Sequence, residues 1–142
     1  TCFAHESFMD EMAAKAKQNP MDFRLSLLDN APRIKNILQT LREKSAWDKP
    51  LPKGWGRGVA VWHFFAGMCG HVVEVSSSKA GFKVERVVAV IECGMTVNPD
   101  GVKAQTEGNI VMGLTAAIKN AITFQNGAVQ EANFDKYPML RI

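Results

Sequence analysis

The stretch from Glu92 to Asn109, Glu-Cys-Gly-Met-Thr-Val-Asn-Pro-Asp-Gly-Val-Lys-Ala-Gln-Thr-Glu-Gly-Asn, concentrates the residues of this sequence best suited to holding a ligand. It follows a run rich in β-branched residues, contains a glycine turn and an Asn98-Pro99 turn, and leads into a helical pattern. A strand-to-helix junction with glycines lets a ligand come close to backbone amides, and a helix N-terminus favours anionic groups. Gln105 lies near that helix start. Its carboxamide offers both donors and an acceptor, which suits the edge of a polar heterocycle. The spacing is neither Gly-x-Gly-x-x-Gly nor Gly-x-x-x-x-Gly-Lys-Ser/Thr, so no nucleotide fingerprint applies. On residue chemistry alone the other reading is a helix-entry turn at Asn98-Pro99, with Gln105 as a capping or surface residue.

Two pairs elsewhere superficially resemble metal ligands, Cys2 with His5 and Cys69 with His71. A structural zinc site needs four converging ligands, and no matched second pair and no Cys-x-x-Cys spacing is present. No metal site is expected. The three cysteines (Cys2, Cys69 and Cys93) cannot all pair within one chain, and they read as reduced, partly buried thiols. A thiol- or metal-dependent regulator built on Cys69 and His71 is the weakest functional class. His63, beside Trp62, Phe64 and Phe65, reads as a core or edge histidine rather than a pocket group. The methionines read as packing.

The elements that must position these residues change character near Gly54. Upstream, Phe8, Met9, Met12, Ala13 and Ala16 recur at helical spacing and predict a helix over residues 6–17. Asn19-Pro20 ends it and starts a second helix through Phe23, Leu27 and Leu28. A third starts near Pro32, with Asn30 as cap, and carries Ile34, Ile37, Leu38 and Leu41. Residues 47–53 form a proline-bearing linker. Downstream the period becomes two, and strands are expected over residues 58–65, 71–76 and 82–91. A helix over residues 105–120 follows. A closing hairpin pairs residues 122–125 with 128–130 about the Asn126-Gly127 turn. The fold class expected is α+β: N-terminal helices, a mostly antiparallel sheet with one packed helix, and a C-terminal hairpin. The organisation expected is a helical segment and linker over residues 1–53 and an α+β segment over 54–142, together one compact unit cut from a larger chain.

Composition excludes several classes. With 142 residues, 46% hydrophobic and 22% charged, the chain falls in the range of ordinary globular domains, which excludes disorder, collagen-like repeats and small disulfide scaffolds. The net charge of +3 is scattered among both signs and supplies no basic stripe for nucleic acid. No stretch approaches the ~20 apolar residues of a membrane-spanning helix. The first residue is Thr1 rather than Met, so a processed product or an excised piece of a longer protein is expected. Bacterial cytoplasm and periplasm fit equally well.

Glu92-Cys-Gly, then Asn98-Pro, Gln105-x-x-Gly and Gly113-Leu closely resemble a segment of the molybdenum-binding subunit of the xanthine oxidase family. Ser7-Phe-Met-Asp-Glu-Met-Ala followed by Asn19-Pro-Met-Asp-Phe-Arg-Leu resembles that family's helix pair. Gly56-Arg-Gly-Val-Ala, His71-Val-Val-Glu-Val and Val84-Glu-Arg-Val-Val continue in the family's order. Asn126-Gly and the run from Asn133 through Arg141 are most similar to the branch of isoquinoline 1-oxidoreductase β-subunits, alongside the aldehyde oxidoreductase large subunits. The likeness spans nearly the whole chain.

This resemblance implies a molybdenum hydroxylase acting on N-heteroaromatics or aldehydes. It implies a molybdenum–pterin cofactor, commonly the cytosine dinucleotide form in bacterial members, with oxygen drawn from water. Electrons would leave through an iron–sulfur subunit or domain. The resemblance also implies that Gln105 hydrogen-bonds the pterin and that Gly108 permits close packing at the cofactor end, while Asn98 and Pro99 set up the helix. The family's catalytic glutamate sits in a Gly-Glu-Pro context that does not occur here, and neither Glu6, Glu74, Glu92 nor Glu107 matches it. No catalytic residue is therefore assigned, and the isolated chain is expected to be inactive and without cofactor. Its partners would be the rest of the molybdenum-binding subunit, the iron–sulfur component and a small-molecule substrate. Glu92 stands where the family usually has Asp, and Asn109 replaces the second glycine of the usual pair. The competing reading is a non-catalytic assembly or subunit-contact module of the same fold.

Overall fold

Helix α1 spans Cys2–Lys15, α2 Pro20–Ser26 and α3 Pro32–Ser45 in the computed structural model, which describes residues 1–79 and 81–140. Arg141, which closes the Asn133 motif, lies outside the described residues. The Asn19 side chain caps α2 by accepting the Met21 N–H at 2.9 Å, and it also accepts from Trp47 Nε1 at 3.0 Å. Asn30 does not cap α3. Ala31 occupies that position without a side-chain bond, and Pro32 sets the first turn instead. Ala46 closes the helix in the left-handed region.

Strands β1 (Trp55–Phe64), β2 (Gly67–Ser78) and β3 (Gly81–Glu92) form an antiparallel meander in the order β1-β2-β3. Val59 lies opposite Val72, and Val72 opposite Val88. Helix α3 packs on this face through Ile37, Leu38 and Leu41, which with Met21, Trp47, Val59 and Val72 make the core. Gly70 is what lets the helix approach. A Cβ there would lie 2.6 Å from Leu41 Cδ1 and 2.9 Å from Ile37 Cγ2.

These elements fall in one compact unit, Thr1–Met95. The change of composition at Gly54 lies inside it and marks where helices give way to strands. The second unit, Thr96–Ile142, holds α4 (Pro99–Ile118) and a short hairpin of β4 (Phe124–Gln125) and β5 (Ala128–Val129). Asn126 and Gly127 both have positive φ, as a two-residue hairpin turn demands. The fold is α+β with antiparallel pairing throughout, as the sequence patterning implies.

Two features differ from the periodicity reading. Helix α1 begins at Cys2, and its buried residues are Glu6 and Ala13, while Phe8 and Met12 face solvent. The buried face carries the Glu6–Arg24 ion pair as well as Ala13. Met21 is a core residue, whereas Met12, Met95, Met112 and Met139 are exposed.

Candidate functional site

Strand β3 ends at Glu92, whose carboxylate accepts from Arg33 Nε at 3.0 Å and also from Arg33 Nη2. The Gly94 N–H reaches the same carboxylate at 3.3 Å, with Gly94 at positive φ. Glu92 therefore anchors the end of β3 to the first turn of α3. The glutamate found in place of the family's aspartate has a structural use here.

The glutamine-bearing helix belongs to the second unit. The Asn98 side chain accepts the Gly101 N–H at 3.0 Å, Pro99 follows at the first helical position, and Asp100 complements the helix dipole. The helix starts at Pro99, so Gln105 stands in its second turn rather than at its entrance. Gln105 is exposed, and no protein group among the described residues hydrogen-bonds its carboxamide. Gly108 lies on the same flank, one turn further on. A Cβ built there meets nothing within 4 Å. An exposed carboxamide beside a bare stretch of helix fits an edge-on approach by a polar heterocycle. Asn109, Lys103 and Glu107 are exposed as well, the last two 3.9 Å apart. Thr115 is the buried residue of α4; its hydroxyl donates to Val111 O at 2.7 Å and accepts the Leu140 N–H at 3.2 Å.

The first unit holds a polar cluster that periodicity did not reveal. Arg24 is 3% exposed and donates through Nε to Glu6 Oε2 at 3.0 Å, through Nη1 to Asp10 at 2.7 Å, and through Nη2 to Glu6 O at 2.9 Å. Glu6 Oε2 also accepts the Val61 N–H of β1 at 3.1 Å, and His5 Nδ1 lies 3.0 Å from Oε1. The signal in the sequence was a glutamate and an aspartate four residues apart on a helix that also carries Phe8, Met9 and Met12. A cleft of about 300 Å³ beside this cluster is lined by His5, Met9, Leu28, Trp62 and His63 among others. His63 sits on the outer strand, exposed.

Nearby, burial pushes the Cys2 thiol up, reinforced by Glu6 and Cys69, and burial alone pushes Cys69 up. These thiols are therefore poor nucleophiles. Among the described residues no three His, Cys, Asp or Glu side chains converge as metal ligands. Glu74, also buried, lies 3.2 Å from Arg57 Nη2 and 3.9 Å from Arg86 Nη1. The two arginines donate to the last carbonyls of α3 and its cap: Arg57 to Ala46 O at 3.2 Å and to Trp47 O, Arg86 to Lys44 O at 2.9 Å and Ser45 O at 3.1 Å. This arrangement neutralises a helix C-terminus.

A family model described as a molybdopterin cofactor-binding domain matches residues 5–142. Among curated proteins, the chain is 35% identical over 145 residues to the isoquinoline 1-oxidoreductase β-subunit of Brevundimonas diminuta, covering 99% of this chain and 19% of that protein. It is 30% identical to a membrane-bound aldehyde dehydrogenase (pyrroloquinoline-quinone) of Gluconacetobacter polyoxogenes, covering 100% of this chain and 21% of that one. It is 29% identical to a nicotinate dehydrogenase subunit of Pseudomonas putida, over 97% of this chain and 13% of the relative. The chain thus spans about a fifth or less of the length of the relatives it matches.

Proposed function

Because the chain belongs to the molybdopterin cofactor-binding family, within the molybdenum-binding subunits of the xanthine oxidase group, we propose that it works as part of a molybdenum-cofactor oxidoreductase that hydroxylates N-heteroaromatics or aldehydes. In this reading the helical segment over residues 1–53 and the α+β segment over 54–142 belong to a longer subunit. An iron–sulfur subunit or domain receives the electrons, and the cofactor is the cytosine dinucleotide form.

The observation that carries the proposal is the flank of α4. Gln105 is exposed without a protein partner, and Gly108 leaves open space one turn away. When bound, the molybdenum–pterin group supplies the redox centre at which the substrate carbon is hydroxylated. This chain's part is to hold the pterin: the Gln105 carboxamide donates to and accepts from its heterocyclic edge, and Gly108 leaves the helix surface bare for it. The catalytic base comes from elsewhere in the subunit. Here Glu6, Glu74 and Glu92 are each committed to arginines, and Glu107 is a surface residue beside Lys103.

The second reading, an assembly or subunit-contact module, draws support from the apolar surface of the second unit, where Met112 is 55% and Phe134 81% exposed. Molybdenum and pterin content of the full-length subunit separates the two. Gln105→Ala should lower bound cofactor severalfold, and Gly108→Leu should lower it at least as much, with subunit association retained. Unchanged cofactor content and turnover in both variants would leave the assembly reading in its place.

A further inference from the structure

The two edges of the three-stranded sheet differ in how they are protected. On the outer side of β1, Glu6 accepts the Val61 N–H at 3.1 Å while held by buried Arg24. A charged side chain thus occupies a donor that another strand would need. The Ser77 N–H donates to Gly54 O at 2.8 Å, which fixes the phase of the β1–β2 ladder. Hydrogen-bonded pairs alternate along an antiparallel ladder. Ala60 and Trp62 therefore turn their backbone groups toward His71 and Cys69 of β2, and Val61 turns outward, where Glu6 meets it.

The same alternation crosses β2 to β3. Gly70 and Val72 face away from β1, so their partners Val90 and Val88 bond inward. Val87, Ala89 and Ile91 then turn both N–H and C=O to the outer edge. Among the described residues no hydrogen bond outside the β2 ladder reaches these groups. The run Val-Val-Ala-Val-Ile over residues 87–91 carries no charge and no proline, and the register shift of the sheet lies at Glu74/Val75, before this run pairs. Natural edges are usually blunted by such features. Lys83, Glu85, Arg86 and the register shift blunt the first half of β3, and residues 87–91 have none of these features.

We propose that the outer edge of β3 receives a fourth strand supplied by the remainder of the molybdenum-binding subunit. The proposal rests on the reading that the chain works within that longer subunit. The relatives support this occupant, because 19% and 21% coverage leaves about four-fifths of each outside the matched region. The incoming segment is extended, with backbone groups that meet Val87, Ala89 and Ile91. Its side chains alternate, with small or β-branched ones beside Val88 and Val90 on the core face.

Residue-resolved amide hydrogen exchange on the full-length subunit, with molybdenum content measured on the same sample, tests this. The expected result is that Val87, Ala89 and Ile91 exchange within about tenfold of Val88 and Val90. Exchange at least a hundredfold faster at the three outward positions would overturn the proposal. So would protection at one of the three alone, which indicates a side-chain cap like that of Glu6. Protection that disappears on dilution would also overturn it, because the occupant would then be a second copy. Ala89→Pro removes an outward N–H and fixes φ, a change that an edge strand tolerates where the N–H bonds nothing. It should release Val87 and Ile91 to fast exchange, whereas a free edge tolerates it without change. Protected amides in a subunit lacking molybdenum would leave the strand standing and the cofactor reading refuted; open amides in a fully loaded subunit would do the reverse.

Discussion

Glu6 makes three contacts: it pairs with Arg24, accepts the outward Val61 N–H of β1 and meets His5. Removing one partner of a buried ion pair costs far more than the pair contributes, about 3–5 kcal/mol, since the other charge is left uncompensated. Glu6→Ala should therefore lower unfolding free energy by about that amount, measured by urea titration. Glu6→Gln, which keeps an acceptor for Val61, should lose less. A loss under about 1 kcal/mol for Glu6→Ala would show that Asp10 alone satisfies the guanidinium. Gln105 contrasts with Glu6. Its place on a helix was legible in the sequence, though it stands in the second turn and not at the helix start. The role of Glu6 was not legible, because its partners Arg24 and Val61 are brought to it only by folding.

The elements themselves were largely legible. The i, i+3, i+4, i+7 spacing of Ile34, Ile37, Leu38 and Leu41 marks the buried face of α3, and Asn126-Gly127 marks its hairpin. Boundaries were less so. Helix α4 starts at Pro99 rather than near Gln105, because the Asn98 cap and Pro99 begin it before the apolar pattern does. The strands run longer than the alternation suggests, β2 reaching from Gly67 to Ser78 through Gly70. A glycine in a strand lowers its propensity, yet Gly70 is where α3 comes closest. Gly70→Val raises intrinsic β-propensity and should nonetheless destabilise by about 1–3 kcal/mol or more through overpacking against Leu41 and Ile37. Thermal unfolding should show a lower Tm than the parent chain. An increase would mean that α3 moves outward without cost.

The acid response belongs to the whole molecule because it sums groups from both units. Burial pushes the His71 imidazole below its ordinary 6.5. The native state therefore favours neutral His71, while the unfolded chain takes up a proton as pH falls through 6.5. Stability present above that pH is lost as pH drops from 6.5 toward the folded value. Arg42 and Lys35 hold Asp48 and Asp29 below the usual carboxylate value of 3.8, and Lys83 and the Thr123 amide hold Glu85 and Glu131 below 4.5. Their contributions are present above those values and are lost only as pH falls through the lower folded ones. Urea midpoints should thus decline between about pH 7 and 5, ahead of the carboxylate losses, and His71→Gln should flatten that decline. An unchanged slope in the variant would remove His71 as its source.

Local patterning by itself determined the α+β class, the order of helices and strands and the turn chemistry, since each depends on neighbours a few residues away. The tertiary structure decided which face of α1 is buried, that Glu92 is bound by Arg33, that two arginines cap α3 through Glu74, and that Glu6 caps an outward donor of β1. Those outcomes depend on charges and backbone groups far apart in the chain. Periodicity carries no record of such pairings, because their partners meet only once the chain has folded.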